Sequence, residues 1–150
     1  MADREPRINA MGSVVEDGYR CKPLVADPQK AMMYYKSHIF ICCGDRCRKA
    51  WKRDDLPSYL RDILKSMRLH KGSRRIKIST GGCFGTCRFR TVANIYENSR
   101  GNGFSGNDNL WLKAVHRYDE SRWRELFETL DSDIELLGRG FESIEMKEYD

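Results

Sequence analysis

The sequence predicts a small α/β fold in which a mixed β-sheet forms one layer and helices form the other, in the order β-α-β-β-β-α. Two observations predict it. Short apolar segments rich in β-branched residues are separated by segments with helical periodicity. A Gly- and Asn-rich link of hairpin type joins only the last two strand segments. The chain of 150 residues is long enough for one such domain with terminal extensions.

The first strand and the helix that follows it have the clearest patterns. Residues 38–42 (HIFIC) form a short apolar segment typical of a buried strand. A loop that contains Cys and Arg follows. Residues 54–69 then place apolar side chains three and four residues apart, with Asp54 or Asp55 available as N-cap and Pro57 in the first turn. We therefore expect a helix over 54–69.

Three further strands and a second helix complete the predicted fold. Residues 75–79 (RIKIS) alternate as a half-buried strand does, and residues 91–96 and 110–115 have strand composition. The link over 98–109 is typical of a hairpin connection. A helix is expected from about Asp119. The β-α-β start requires a parallel pair of strands, and the last two strands should be antiparallel.

The distribution of charge and of turn-forming residues divides the chain. Residues 36–118 contain 18 basic and six acidic side chains, whereas residues 119–150 contain four basic and eleven acidic ones. The start of the chain mixes Gly, Pro and scattered charges without a sustained period. We expect a largely irregular N-terminal extension over 1–36, a domain over 37–131 and an acidic C-terminal tail over 132–150.

Composition also restricts the compartment and the chemistry. No apolar segment approaches the length of a membrane span, so no membrane association is expected. Residues 1–9 lack the basic start and apolar run of a signal peptide, which makes the cytoplasm the expected location. In a reducing compartment, six cysteines indicate metal binding or redox chemistry more than a disulfide framework.

Five of the six cysteines lie in two groups, CCGDRC over 42–47 and CFGTC over 83–87. The first group follows the first predicted strand, and the second group follows the second. Because the carboxyl ends of parallel strands share one edge of a sheet, the two groups should meet in space. Two loops that supply two thiolates each suit a four-thiolate metal site or a 2Fe–2S cluster.

Two other interpretations of the cysteines stay open at this point. The spacings Cys42-x4-Cys47 and Cys83-x3-Cys87 are close to those of zinc knuckles, so a zinc-stabilised interaction module with a basic surface is one alternative. A thiol-based redox sensor that uses the adjacent Cys42 and Cys43 is the other. The basic segment 68–75 could contact phosphate, but it has no interleaved aromatic residues, so nucleic acid is not an expected partner.

The order of elements and the placement of the cysteines carry a family resemblance. The segments HIFICCGDRC, RIKISTGGCFGTC, TVANIYEN and LWLKAV, followed by a closing helix, resemble the thioredoxin-like 2Fe–2S ferredoxin family. That family includes the small cluster-bearing subunit of respiratory complex I and of NAD-linked hydrogenases. The resemblance covers about residues 37–131. It implies a thioredoxin-like two-layer mixed sheet with flanking helices.

The resemblance also implies a set of site residues and an activity. It implies that Cys42, Cys47, Cys83 and Cys87 bind one 2Fe–2S cluster and that the chain transfers single electrons without catalysing a reaction of its own. Cys43 is an additional thiol and an alternative first ligand. We favour Cys42, because it ends the HIFIC segment as the family cysteine does and Cys43 would point to the other face.

Charge and family resemblance together suggest the expected partners. A basic domain of this kind should dock on a redox partner protein that presents an acidic face. A homodimer is also compatible with the family resemblance. The chain departs from the family pattern after Cys87, where Arg88-Phe89-Arg90 stands in place of the Gly-Pro that family members often have.

Overall fold

The computed structural model describes residues 5–9, 11–51 and 53–149. Residues 1–4, 10 and 150, which belong to the predicted terminal extensions, lie outside the described residues, as does residue 52. The chain forms two compact units, Met1–Met33 and Tyr34–Asp150. In the first unit, isolated antiparallel bridges join Ile8 to Val14 and Val15 to Pro23.

The second unit contains the predicted mixed sheet. Its four strands are β1 (Ser37–Cys42), β2 (Ile76–Gly81), β3 (Ala93–Glu97) and β4 (Leu110–Leu112). Their order across the sheet is β2-β1-β3-β4, with β1 and β2 parallel and the other two pairs antiparallel. The predicted fold class, a mixed sheet with flanking helices, and both predicted strand pairings are confirmed.

In the described part of the chain, three α-helices flank this sheet: α1 (Asp45–Ala50), α2 (Leu56–Ser66) and α3 (Glu120–Asp131). Asp55 caps α2 by accepting a hydrogen bond of 3.0 Å from the backbone N–H of Ser58, as its position before Pro57 predicts. The helix ends before the predicted residue 69, because Arg68 adopts a left-handed conformation with φ of 59°. Asp119 caps α3 in the same way as Asp55 caps α2.

The helix α1 was not expected, because the sequence predicted a loop between β1 and α2. A helix of six residues is too short to show a 3.6-residue period of apolar side chains. The charged residues of α1 are placed where the helix dipole favours them, with Asp45 in the first turn and Arg48 and Lys49 in the last. The helix turns Cys47 into the interior, where it is buried.

The last strand is shorter than predicted. Strand β4 ends at Leu112, where the sequence predicted a strand to residue 115. Ala114 takes a left-handed φ of 54° and donates its backbone N–H to the carbonyl of Phe89. A 3-10 turn, Val115–Arg117, follows. The contact with Phe89 ties the end of β4 to the chain that follows the second cysteine group.

The segment that follows α3 packs on the domain, although the sequence assigned residues 132–150 to a separate acidic tail. Leu136 is fully buried and Phe141 is buried. The backbone N–H of Leu136 donates to the side chain of Asn107, and that of Ile144 donates to the carbonyl of Trp111. Two apolar side chains therefore anchor an acidic segment to the sheet domain, at least as far as residue 144.

The main core lies between the sheet and the two longer helices. Strands contribute mostly Ile side chains to it, and α2 and α3 contribute Leu and aromatic side chains. Its fully buried members include Ile41, Leu60, Ile95, Trp123 and Phe127. Within the described residues, no helix combines the length and the apolar character needed to cross a bilayer.

A buried charge cluster joins the edge of the sheet opposite the cysteines to the end of α3. The Lys36 ammonium group is fully buried and contacts Glu97 at 3.0 Å, Asp133 at 3.1 Å and the carbonyl of Leu130 at 2.8 Å. The hydroxyl of Ser37 donates to Glu97 at 2.6 Å. Burial raises the pKa of Glu97, and its hydrogen bonds from Ser37 and Lys36 offset only part of that effect.

We predict that Lys36→Met lowers the free energy of unfolding by about 3–5 kcal/mol, because it leaves the Glu97 carboxylate buried without its cation. Urea denaturation followed by circular dichroism measures the change. The exposed Lys71→Met is the matched control and should change stability by less than about 0.5 kcal/mol. A Lys36→Met protein that unfolds at the same urea concentration as the parent would contradict this prediction.

Candidate metal centre

Both cysteine groups lie at one edge of the sheet, as the parallel strands predict. Cys42 is the last residue of β1 and pairs in register with Gly81, the last residue of β2. Gly44 lies so close to the second loop that a Cβ on it would stand 3.1 Å from the Cα and Cβ of Cys83. A side chain at Gly44 would therefore require the backbone at Cys83 to shift by a few tenths of an ångström.

Cys42 and Cys47 form an inner pair. Each is only 2% exposed, and they share an apolar cluster with Val92 that Phe84 and Trp111 help to cover. The Cys42 Sγ lies 3.5 Å from the carbonyl oxygen of Gly82, so the inner pair also touches the second loop.

The surroundings of Cys47 keep its thiol protonated. Burial, followed by the hydrogen bond with the Cys42 thiol, raises the pKa of Cys47 to about 11. A hydrogen bond with the Val92 backbone acts in the opposite direction. Metal binding to this thiol must therefore displace a proton.

Cys83 and Cys87 form an outer pair, with 3.6 Å between their Sγ atoms. Cys83 is exposed, and the backbone N–H of Gly85 donates to its Sγ at 3.3 Å. Gly85 can turn its N–H in this direction because it has a left-handed φ of 76°, which glycine adopts without strain. This N–H, the Cys87 thiol and the charge of Arg46 all lower the pKa of Cys83. The hydrogen bond with Cys83 raises the pKa of Cys87.

The inner and outer pairs are electrostatically coupled. The charges of Cys42 and Cys87 each raise the pKa of Cys47, and the charge of Cys42 also raises the pKa of Cys87. Among the described residues, no three His, Cys, Asp or Glu side chains converge on the position of a single metal ion. The contacts of Cys42 with Cys47 and of Cys83 with Cys87 thus form two pairs that act on each other's pKa.

The two remaining cysteines lie outside this arrangement. The Cys43 thiol donates to the carbonyl of Gly81 at 2.7 Å and lines a separate open depression together with Arg48 and Trp51. Cys21 is exposed and belongs to the first unit of the chain. The structure thus places Cys42, and not Cys43, beside Cys47.

Thr91 supports the inner pair, and the sequence did not single it out. Thr91 is fully buried, and its hydroxyl donates to the backbone carbonyl of Cys47 at 3.0 Å. Its backbone N–H donates to Nδ1 of His116 at 3.1 Å, and its carbonyl accepts from Val115. Through Thr91, these bonds connect α1 to the 3-10 turn that follows β4. Thr91 opens a predicted strand, and nothing in that pattern distinguishes it from an ordinary strand residue.

No family model matches the chain, and no curated protein matches it. Among solved structures, the chain is similar to the crystal structure, at 1.5 Å resolution, of the wild-type thioredoxin-like [2Fe-2S] ferredoxin from Aquifex aeolicus. The two share 15% sequence identity and align with a TM-score of 0.46 over 75% of this chain and 100% of that chain. The name of that protein is also the name of the family that the sequence resembles.

We predict that iodoacetamide alkylates Cys83 in the folded, metal-free protein at least tenfold faster than Cys42 or Cys47. Cys83 is exposed and its Gly85 hydrogen bond favours the reactive thiolate, whereas the other two thiols are buried. Mass spectrometry of peptides sampled during the reaction gives the three rates. In urea, where the burial is lost, the rates should converge to within a few-fold. Equal rates in the folded protein would show that the inner pair is not protected.

Proposed function

We propose that the chain is a one-electron carrier that binds a single 2Fe–2S cluster through Cys42, Cys47, Cys83 and Cys87. The observation that carries the proposal is the arrangement of these thiols in two neighbouring pairs from two loops at one edge of the sheet. A 2Fe–2S cluster bound by cysteines takes four thiolates, two for each iron.

The pairwise arrangement supports a dinuclear centre over the zinc alternative. A structural zinc ion takes four ligands in a tetrahedron around one point. The contacts between the thiols instead link Cys42 with Cys47 and Cys83 with Cys87. Two pairs, with 3.6 Å between the sulfurs of the outer one, suit two metal ions side by side.

The surrounding residues suit a cluster that accepts and releases one electron. Phe84, Phe89 and Trp111 pack around the inner pair and limit the access of water to it. The backbone N–H of Gly85 points at the Cys83 sulfur. Hydrogen bonds to cluster sulfurs and nearby positive charge stabilise the more negative, reduced state. The chain's own residues therefore provide ligation, a dry inner side and hydrogen bonds at the outer side.

We predict that Cys42→Ser abolishes stable cluster binding, whereas Cys43→Ser leaves it intact. Only Cys42 lies beside Cys47, since the Cys43 thiol bonds to Gly81 in a different depression. Anaerobic reconstitution with iron and sulfide, followed by analysis of both elements, should give about two irons and two sulfides per chain for the parent and for Cys43→Ser. The visible absorption should bleach with dithionite.

The two serine variants are matched, because they make the same change at adjacent positions. Loss of the cluster in Cys43→Ser but not in Cys42→Ser would assign the first ligand to Cys43. A parent protein that stays colourless after reconstitution and holds one zinc ion would overturn the carrier proposal in favour of the zinc module. A colourless protein without metal would favour the thiol-based sensor.

We further propose that electrons pass at the outer pair and that the redox partner presents an acidic face there. Cys83 is exposed, and the positive charge of Arg46 acts on both Cys83 and Cys87. Arg88 and Arg90, on the same loop, are exposed as well. A partner with carboxylates around its own redox centre would be attracted to this edge.

We predict that Arg46→Gln slows oxidation of the reduced, cluster-loaded protein by ferricyanide several-fold at low ionic strength. Ferricyanide is an anion and should be attracted to this edge, whereas the hexaamminecobalt(III) cation should not be slowed by the loss of a positive charge. Stopped-flow absorbance measures both rates. Arg100→Gln, which removes an exposed arginine near the opposite end of the sheet, is the control. Equal effects of Arg46→Gln on the two oxidants would contradict a positively charged docking edge.

A further inference from the structure

Two hydrogen-bond donors beside the cysteines are buried and unpaired. The indole N–H of Trp111 and the hydroxyl of Thr86 make no hydrogen bond to any of the described residues. Trp111 is the middle residue of β4, and Thr86 immediately precedes Cys87 in the second cysteine loop. An unpaired buried donor destabilises a folded protein, so each such group calls for an explanation.

The strand pairing places Trp111 on the face of the sheet that carries Cys42. Trp111 pairs with Asn94 of β3, and Asn94 pairs with Phe40 of β1. Residues paired across a sheet share a face, as do residues two apart on one strand, so Cys42 lies on this face as well. The indole accordingly packs against the apolar cluster that contains the inner pair.

Packing holds the Trp111 side chain beside the inner pair. The ring of Phe84, from the second cysteine loop, meets the indole edge to face, with 5.9 Å between the ring centroids. The Trp111 carbonyl accepts a hydrogen bond of 2.8 Å from Ile144, which packs on the same apolar cluster. An aromatic face is only a weak acceptor, so the contact with Phe84 does not replace a hydrogen bond to the indole N–H.

Two backbone carbonyl groups of this apolar cluster already accept other hydrogen bonds. The Val92 carbonyl accepts from the N–H of Cys42 at 3.0 Å, and the Cys47 carbonyl accepts from the Thr91 hydroxyl at 3.0 Å. The cysteine sulfurs are different, because a cysteine binds metal as a thiolate, whose negative charge makes it a good acceptor. Binding of iron and sulfide therefore creates acceptors beside the two unpaired donors.

We propose that the Trp111 indole N–H and the Thr86 hydroxyl donate hydrogen bonds to sulfur atoms of the 2Fe–2S cluster, Trp111 on the side of the inner pair and Thr86 on that of the outer pair. This inference rests on the proposed function, because it concerns the same cluster. Hydrogen bonds to the sulfurs stabilise the more negative, reduced state, so both donors raise the reduction potential. Trp111 thereby adds a polar contact on the side from which aromatic packing excludes water.

The first test is the reduction potential of reconstituted Trp111→Phe and Thr86→Val, measured by dye-mediated titration with visible absorption. Each variant removes a donor and keeps an aromatic ring or a branched side chain. At the potential where the parent is half reduced, we expect the ratio of reduced to oxidised protein to fall three- to tenfold. This corresponds to about 30–60 mV, at about 59 mV per tenfold change for one electron.

Trp51→Phe is the matched control for Trp111→Phe. Trp51 also has a buried indole N–H without a hydrogen-bond partner among the described residues, but it packs against the main core. The ratio of reduced to oxidised protein should change less than twofold in this variant. Analysis of iron and sulfide establishes that each variant holds the same cluster as the parent.

Pulsed electron paramagnetic resonance gives a second readout, which apolar packing alone would not produce. The indole nitrogens are labelled with nitrogen-15, and the paramagnetic, reduced protein is examined for a coupling to this nucleus. We expect a coupling in the parent and in Trp51→Phe, and its loss in Trp111→Phe. Because the coupling is measured on the parent, absence of a signal there overturns the role of Trp111 even if a variant does not fold.

Two further results, with a fully loaded parent, would overturn the inference and leave the carrier proposal intact. The first is a potential of Trp111→Phe or Thr86→Val that is unchanged or higher than that of the parent. The second is an equal fall in Trp51→Phe, which would indicate general loosening of the domain. A parent that does not bind two irons and two sulfides would overturn the proposed function, and this inference with it.

Discussion

The candidate centre depends on the parallel pairing of β1 and β2. Six consecutive register pairs, from Ser37–Ile76 to Cys42–Gly81, align the carboxyl ends of the two strands. A shift by one residue would move Cys42 to the opposite face and separate it from Cys47. The alternation of buried Ile side chains on both strands holds this register, because any shift would expose them. The same burial that stabilises the sheet therefore positions the thiols.

The thiols differ in exposure, so the site has a buried side and a solvent-exposed side. The inner pair is enclosed by Val92 and aromatic side chains, whereas in the outer pair, beside Arg46, Cys83 is exposed and Cys87 is half-buried. Thr91 and Gly44 act on this arrangement in complementary ways: the Thr91 hydroxyl holds the backbone of Cys47, and the bare Cα of Gly44 lets the second loop approach. In the proposed carrier, a centre that is dry on one side and open on the other suits exchange of electrons with a docked protein.

A buried charge cluster stabilises the domain away from the cysteines. At the edge opposite the cysteines, Lys36 is fully buried and compensated by Glu97 and Asp133. A compensated buried charge stabilises the fold, because removing one partner leaves the other buried without its counter-charge.

The sequence alone determined the strands and long helices, the parallel and antiparallel pairings and the meeting of the two cysteine groups. Those features follow from the period of apolar residues and from turn-forming residues such as Asp55 and Pro57, which act locally. Only the tertiary structure decided what depends on contacts between distant segments. It showed that Asp45–Ala50 is a helix, that Thr91 holds Cys47, and that Leu136 and Phe141 anchor a segment that looks like an acidic tail. These features have no local period, because their stability comes from packing against residues far away in the chain.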